Sequence, residues 1–449
     1  MAAWISLRLL PGSKLLLSCP ISRGQACIRG VGRTSTTPGA LSAYQDKLRT
    51  MEDLPHVRQL ELLYRMVFQG FHNRLHELQI LEKQLYGPIY VSGFKVVAVN
   101  SPQLLEELLR KDQKFPSRGD MTLWTEYRDM SGLGYGPFTE EGERWYQLRA
   151  VLNKRMLHPK DSAQYGGIIN EVVADFNKRI RYLRQLSPTG DLVPDVSKEF
   201  YMFSLEAKTL INKKMEDIQQ RLDKDQDVQG GYLTYLLSYT QMSAKDVYAS
   251  ITELLLAGVD TTSNTLTWTL YQLSKNPKVQ DRLYEEVSTS LPADQIPTAA
   301  EVTRLPYLRA VIRETLRMYP VVPMNGRHMT ERPVSVGGYL FPEKTSFGFS
   351  HYAMSYDQDV FPEPFTFKPE RWLRDGRQKP NPFGSIPFGF GVRGCVGRRI
   401  AELEMYLVLF QLIRQFEVKA NPRTGDLKSI NRTVLVPDKK LNLHFVDRG

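Results

Sequence analysis

The sequence predicts one large, mainly α domain with small peripheral β-sheets. Three observations carry this reading. From about residue 140, apolar residues recur at helical spacing through segment after segment. Strand-like runs are short and confined to the stretch before residue 100, to 332–350 and to the C-terminal tail. No internal repeat or low-complexity segment divides the chain, and 449 residues with 42% apolar content can bury a large core. Helices layered around one core, with strands at the edge, satisfy all three.

The N-terminal stretch stands apart. Residues 1–45 hold Arg8, Lys14, Arg23, Arg29 and Arg33 with no Asp or Glu, half of the net charge of +10. Basic, Ser- and Leu-rich and free of acids, the stretch has the composition of a mitochondrial transit peptide, expected over 1–35, with the domain over 36–449. Pro11, Gly12 and Lys14 interrupt the apolar run that a secretory signal needs, and the stretch is too short and charged to span a bilayer. A merely disordered terminus is the alternative. The remaining basic excess is mild and forms no long Lys/Arg run, which argues against nucleic acid as a partner. Removal of the presequence would take Cys19 and Cys27 with it. Cys395 would then be the only cysteine, and no internal disulfide framework is possible.

Along the body, "LEKQLYGPIYVSGFKVVAVNSPQLLEELLRK" predicts a helix, two short strands and a helix opened by Ser101-Pro102. "EGERWYQLRAVLNKRML", "YGGIINEVVADFNKRIRYLRQL" and "AKTLINKKMEDIQQRL" follow as helices. The longest apolar helix is "AKDVYASITELLLAGVDTTSNTLTWTLYQLSKN", and after it comes "LPYLRAVIRETLRMYP". Short strands over 332–350 precede the helix "RRIAELEMYLVLFQLIRQF", and the tail "RTVLVPDKKLNLHFVD" reads as two strands.

Four constellations hold the chemistry. In the long helix, Gly258, Asp260 and Thr261 interrupt an apolar run, and all three residue types are poor helix formers. They mark either a groove or a satisfied polar bridge, and the residues alone favour the bridge. "RETLR" puts Glu314 and Arg317 on one helix face, by itself an ordinary ion pair. Trp145 and Arg149 of "WYQLR" lie one turn apart, and "PERW" places Arg371 in a Pro-bounded loop. "PFGFGVRGCVG" sets Cys395 among glycines just ahead of a helix, where backbone N–H groups and the helix dipole favour a thiolate. Its Gly389-x-Gly391-x-x-Gly394 matches the dinucleotide fingerprint, but Pro382 and Pro387 stand where the strand should run, and too little chain follows for a doubly wound sheet.

Taken together and in order, these motifs resemble the cytochrome P-450 family. "FGFGVRGCVG" is similar to its haem-binding loop at Phe388, Gly391, Arg393, Cys395 and Gly397, with "AGVDTT", "ETLR" and "PERW" preceding it in the family's order. The presequence and "GRRIAELEM" resemble the mitochondrial branch, and "PFTEEGERWYQLR", "LLAGVDTTSNTLTW" and "YPVVPMNGR" resemble its sterol 26/27-hydroxylase group, with vitamin D hydroxylases near. The resemblance implies haem b with Cys395 as axial thiolate, and Trp145, Arg149, Arg327, Phe388, Arg393 and Gly397 around it. Arg149, Arg327 and Arg393, with Trp145, would face the haem propionates. Asp260 and Thr261 would relay protons to dioxygen, beside room left by a kink at Gly258. Glu314, Arg317 and Arg371 would form a buried network fixing the cysteine loop, and Ala257, Val321 and Val322 would line the substrate cavity. Arg309, Arg313, Arg398 and Arg399 would dock an adrenodoxin-like [2Fe-2S] ferredoxin, which takes electrons from NADPH through its reductase. The implied enzyme is a ferredoxin-dependent sterol hydroxylase, peripheral on the matrix side of the inner mitochondrial membrane. After "FYMFSLEA" (200–207), however, the family has much more chain, including the two helices that roof the substrate cavity. A shortened roof leaves a catalytically inactive haem-binding isoform as the reading of another class.

Overall fold

The computed structural model describes residues 48–119, 121–206, 242–329, 331–374 and 380–448. The expected transit peptide, the expected helix "AKTLINKKMEDIQQRL" and the point at 207 where extra chain was expected lie outside them.

Six of the described helices make up most of the body. They are α1 (Gly142–Met156), α2 (Gly166–Gln185), α3 (196–206), α4 (Ala244–Lys275), α5 (Pro306–Met318) and α6 (Arg398–Gln415). α4 opens on a capping box, in which the Ser243 hydroxyl accepts the Asp246 N–H at 3.2 Å and Asp246 accepts the Ser243 N–H at 3.1 Å. Its C-terminal half is the axis of the core. Leu266 and Trp268 pack with Phe176 of α2, Phe200 of α3, Val311 of α5 and Phe410 of α6. The hydroxyls along α4 return to carbonyls four residues back: Thr261 to Ala257 at 2.8 Å, Thr265 to Thr261 at 2.8 Å, Thr269 to Thr265 at 2.7 Å. α4 is one continuous helix from Ala244 to Lys275, with Gly258 inside it.

A four-stranded sheet packs at the edge. β1 (Ile89–Val91) pairs antiparallel with β2 (Val97–Val99). β2 runs parallel to β4 (Thr345–Ser350), which pairs antiparallel with β3 (Met324–Met329). The register sets Arg327 opposite Phe347, so the sheet delivers an arginine near the cysteine loop from a distant part of the sequence. The tail strand Leu443–Asp447 pairs with Phe416–Ala420 and with Leu192–Val193. Two one-turn 3-10 helices, Pro382–Gly384 and Gly391–Arg393, precede α6, and among the described residues no strand leads into the glycine loop. The dinucleotide reading thus lacks its strand.

Among the described helices that escape the sequence reading are Gln59–Val67, Thr122–Met130 and Pro277–Ser290. The second shows why. It exposes Leu123, Trp124, Tyr127 and Met130 and buries only Arg128, so no inward apolar stripe announces it. Among the described residues, no helix is long and apolar enough to cross a membrane.

Candidate active site

Cys395 sits two residues before the end cap of α6, Gly397. Positive φ at Gly389 (71°) and Gly391 (69°) lets the loop double back, so that the Cys395 N–H donates to the Phe388 carbonyl at 2.7 Å. The thiol is crowded by protein yet still solvent-accessible, so it lines a crevice rather than the outer surface. Burial raises its pKa, against the opposing pull of the Gly397 N–H and of the Arg149, Arg118 and Arg398 charges. Among the described residues, no group of three His, Cys, Asp or Glu is placed to hold a metal ion. A metal on Cys395 must therefore bring most of its own ligands.

Four arginines converge beside the thiol from four parts of the chain. Arg149 of α1 donates through Nη2 to the Gly394 carbonyl at 2.7 Å and through Nε to Asn153 at 3.1 Å. Arg327 of β3 pairs with Asp112 at 2.8 Å and reaches toward the Phe390 carbonyl at 3.5 Å. Arg393 donates to the Pro116 carbonyl and pairs with Glu141 at 2.7 Å. Arg118 completes the set. Burial, together with the charges of Arg118, Arg327 and Arg149, depresses the pKa of Arg393 to about 9 despite Glu141. Burial and the Arg327 charge likewise lower that of Arg118. Arg393 Nη1 and Arg118 Nε are buried with no partner in the protein. Such a cluster is short of negative charge, and two carboxylates would complete it. That is the donor set a haem with two propionates needs, and the residues fit it.

Arg118 was missed by the sequence reading, because one arginine in an irregular loop carries no pattern. Trp145 was expected to face the carboxylates. Its indole N–H instead donates to the Pro137 carbonyl at 3.2 Å, and its ring holds the Arg393 guanidinium 3.5 Å from the centroid. Phe388 is half-buried under the Arg398 guanidinium, 5.3 Å from its ring centre.

The structure brings Glu314, Arg317 and Arg371 together. Arg317 grips Glu314 with a fork of 3.0 and 2.8 Å, both side chains fully buried, and Arg371 adds a bond of 3.1 Å. Trp372, absent from the sequence expectation, donates its indole N–H to Glu314 at 2.9 Å. Arg317 also ties down the Ser355 carbonyl at 2.7 Å, and Arg371 the Pro362 carbonyl at 2.8 Å. The network thus anchors α5 and the loop before the cysteine segment.

In α4 the Thr261 hydroxyl donates to Ala257, while Asp260 lies toward Tyr201 of α3, whose phenol senses its charge. Of the expected cavity residues, Ala257 and Val322 face open space. Val321 does not: it is buried at 5% exposure, and its carbonyl accepts the Leu435 N–H at 2.9 Å. Arg309, Arg313 and Arg398 lie within electrostatic reach of one another, with Glu402 and Tyr406 beside them. Arg399 is exposed on the first turn of α6.

The helical body, the Cys395 crevice and the arginine cluster define a haem–thiolate protein. The chain belongs to the cytochrome P450 family, whose profile matches residues 55–205 and 196–445. It is a monooxygenase of that family, with haem on a cysteine thiolate as its cofactor. It is 40% identical to the human mitochondrial sterol 26-hydroxylase over 93% of this chain and 92% of that one. Identity to the human mitochondrial 25-hydroxyvitamin D-1 alpha hydroxylase is 35%, over 90% of this chain and 94% of that one. Among solved structures, the cytochrome P450DA heme domain shares the fold, with a TM-score of 0.71 and 21% identity over 83% of this chain and 92% of that one. The alignment to the human sterol hydroxylase runs over 492 residues, more than the 449 of this chain, so that relative has stretches with no counterpart here. The two family matches meet at 196–205, next to the position where the extra chain was expected.

Proposed function

We propose that the protein is a mitochondrial, ferredoxin-dependent monooxygenase that hydroxylates the side chain of a sterol such as cholesterol or a bile-acid intermediate. The observation that carries this reading is the 40% identity to a sterol 26-hydroxylase over nine-tenths of both chains. Haem, when bound, supplies the redox chemistry that inserts one oxygen atom of dioxygen into a C–H bond. The chain's own residues do the rest. Cys395 holds the iron, and the Gly397 N–H beside the sulfur tempers its charge. Arg118, Arg149, Arg327 and Arg393 hold the two carboxylates. Thr261 and Asp260 hold and pass protons at the hydroxyl and carboxyl oxygens on the face of α4. Arg309, Arg313 and Arg398, with Arg399, present cations to an acidic [2Fe-2S] ferredoxin, which is charged from NADPH through its reductase.

The mitochondrial names of the relatives support a mitochondrial location, and within it the reading places the protein on the matrix side of the inner membrane. Peripheral membrane contact is supported by the helix Gln59–Val67. It turns Leu60, Leu63, Tyr64 and Val67 outward, with Phe68 just beyond, as a stripe at helical spacing.

The second reading, a vitamin D hydroxylase, is favoured by the 35% identity to that enzyme. Purified protein given ferredoxin, ferredoxin reductase and NADPH separates the readings. Side-chain hydroxylation of cholesterol in preference to 25-hydroxyvitamin D is expected, and the reverse preference selects the second reading. Cys395→Ser should lose all turnover and the thiolate-type spectrum of the reduced carbon-monoxide complex. A thiolate spectrum with no turnover of either substrate would mark an inactive haem-binding isoform.

A further inference from the structure

Glu253 lies in α4, two turns before Asp260, and its side chain is 4% exposed. It makes no hydrogen bond or ion pair with the four arginines, although its charge reaches Arg118, and it gathers a set of bonds from one segment. Its carboxylate accepts the Phe138 N–H at 2.7 Å, the Gly136 N–H at 3.2 Å and the Thr139 hydroxyl at 2.6 Å. Arg128, itself buried, pairs with it at 2.9 Å and donates to the Gly134 carbonyl at 2.8 Å. The approach is so close that a Cβ on Gly136 would come within 2.4 Å of the carboxylate and 2.8 Å of the Ala249 carbonyl.

The other side of this segment faces the arginine cluster. The Pro137 carbonyl receives the Trp145 indole N–H, and the Trp145 ring carries Arg393. The Phe138 ring lies under the Arg118 guanidinium, 5.6 Å from its centroid, and is braced edge-on by Trp124. Arg118 and Arg393 are the two arginines of this cluster with a buried N–H that lacks a partner. One carboxylate therefore fixes both supports on which those two arginines rest. A buried charge is a costly way to order a loop, and it persists here because one ion pair and three hydrogen bonds offset its desolvation.

We propose that Glu253 is a positioning residue that, through Pro137 and Phe138, aims Arg393 and Arg118 at the haem carboxylates and so sets haem retention and the iron potential. The proposal rests on the haem reading of the crevice, which the spectrum of the wild-type protein checks before any variant is made.

The test uses the full-length holoenzyme. Haem loss is followed by transfer to excess apomyoglobin, and the ferric–ferrous midpoint potential is measured alongside. Glu253→Gln should speed haem loss roughly tenfold, the effect of leaving a buried donor unsatisfied. It should also shift the potential while the reduced carbon-monoxide spectrum stays thiolate-type. Trp145→Phe keeps an aromatic face, though a smaller one, and removes the indole N–H. The double variant should lose haem no faster than Glu253→Gln alone, because both changes act on one loop. Where Glu253→Gln fails to fold, Thr139→Val removes a single donor at nearly constant shape, with haem loss roughly threefold faster. Wild-type haem loss and potential in these variants would overturn the proposal. So would a lower unfolding temperature with an unchanged potential, which marks a merely structural role, or multiplicative effects in the double variant. A wild-type protein without a thiolate spectrum would overturn the cofactor assignment itself, a failure seen separately and first.

Discussion

At the residue scale, Thr261 keeps its helical bonds and donates its hydroxyl back to Ala257, leaving the oxygen's lone pairs toward the open face. Alanine is the better helix former, so Thr261→Ala should change stability by no more than about 0.5 kcal/mol. Product formed per NADPH consumed should fall roughly tenfold, with peroxide making up the difference, because the hydroxyl oxygen that holds a proton carrier on that face is gone. Unchanged coupling would return Thr261 to the role of a satisfied helical hydroxyl. The residues of this site differ in how legible they are. Cys395 is written in its own loop, since glycines at positive φ and a following helix cap are local features of sequence. Arg118 is not, because its meaning depends on Glu141, Arg327 and Cys395, which only the fold brings near it. Val321 and Val322 make the same point on one dipeptide, one side chain buried and the other open, a choice set by the contact with Leu435.

At the scale of elements, the network on Glu314 is a joint between α5 and the Pro369–Trp372 turn. "RETLR" alone reads as a surface pair worth a few tenths of a kcal/mol. Full burial changes that, since a carboxylate out of water depends on its partners. Arg317→Lys keeps the charge but loses the fork and the bond to the Ser355 carbonyl. It should cost about 3 kcal/mol or more, read as a fall in the urea midpoint and in the yield of haem-loaded protein. A cost below about 1 kcal/mol would mean that solvent reaches the pair. Long helices with an inward apolar face were legible, α4 and α5 nearly to the residue, because burial imposes the period that pattern reading detects. The helices Gln59–Val67 and Thr122–Met130 were not, since nine residues each is shorter than the window in which a helical period stands out.

At the scale of the whole molecule, charge and burial set two behaviours. His76 and His351 are buried, and burial above all lowers the pKa of each to about 4, with Arg74 and Arg327 adding repulsion. Unfolded, each titrates near 6.5, so between 6.5 and 4 the unfolded chain binds more protons and stability falls as pH falls. Each should contribute up to about 1.4 kcal/mol per pH unit in that window, and His76→Gln should flatten the slope of the urea midpoint against pH. The second behaviour is electron supply. Arg309 and Arg313 stand one turn apart on α5 with Arg398 nearby, and the Arg313 pKa is lowered by burial and by those two charges. Cations held together against their own repulsion attract an anionic partner at long range, and salt screens that attraction. Arg309→Glu with Arg313→Glu should therefore weaken ferredoxin binding roughly tenfold or more at low salt, about 1 kcal/mol for each reversed rim charge. The difference should shrink at high salt while the reduced carbon-monoxide spectrum stays intact. Peroxide-driven oxidation needs no ferredoxin and should survive, which separates lost docking from lost chemistry. Equal affinities of wild type and double variant at low salt would place the docking face elsewhere.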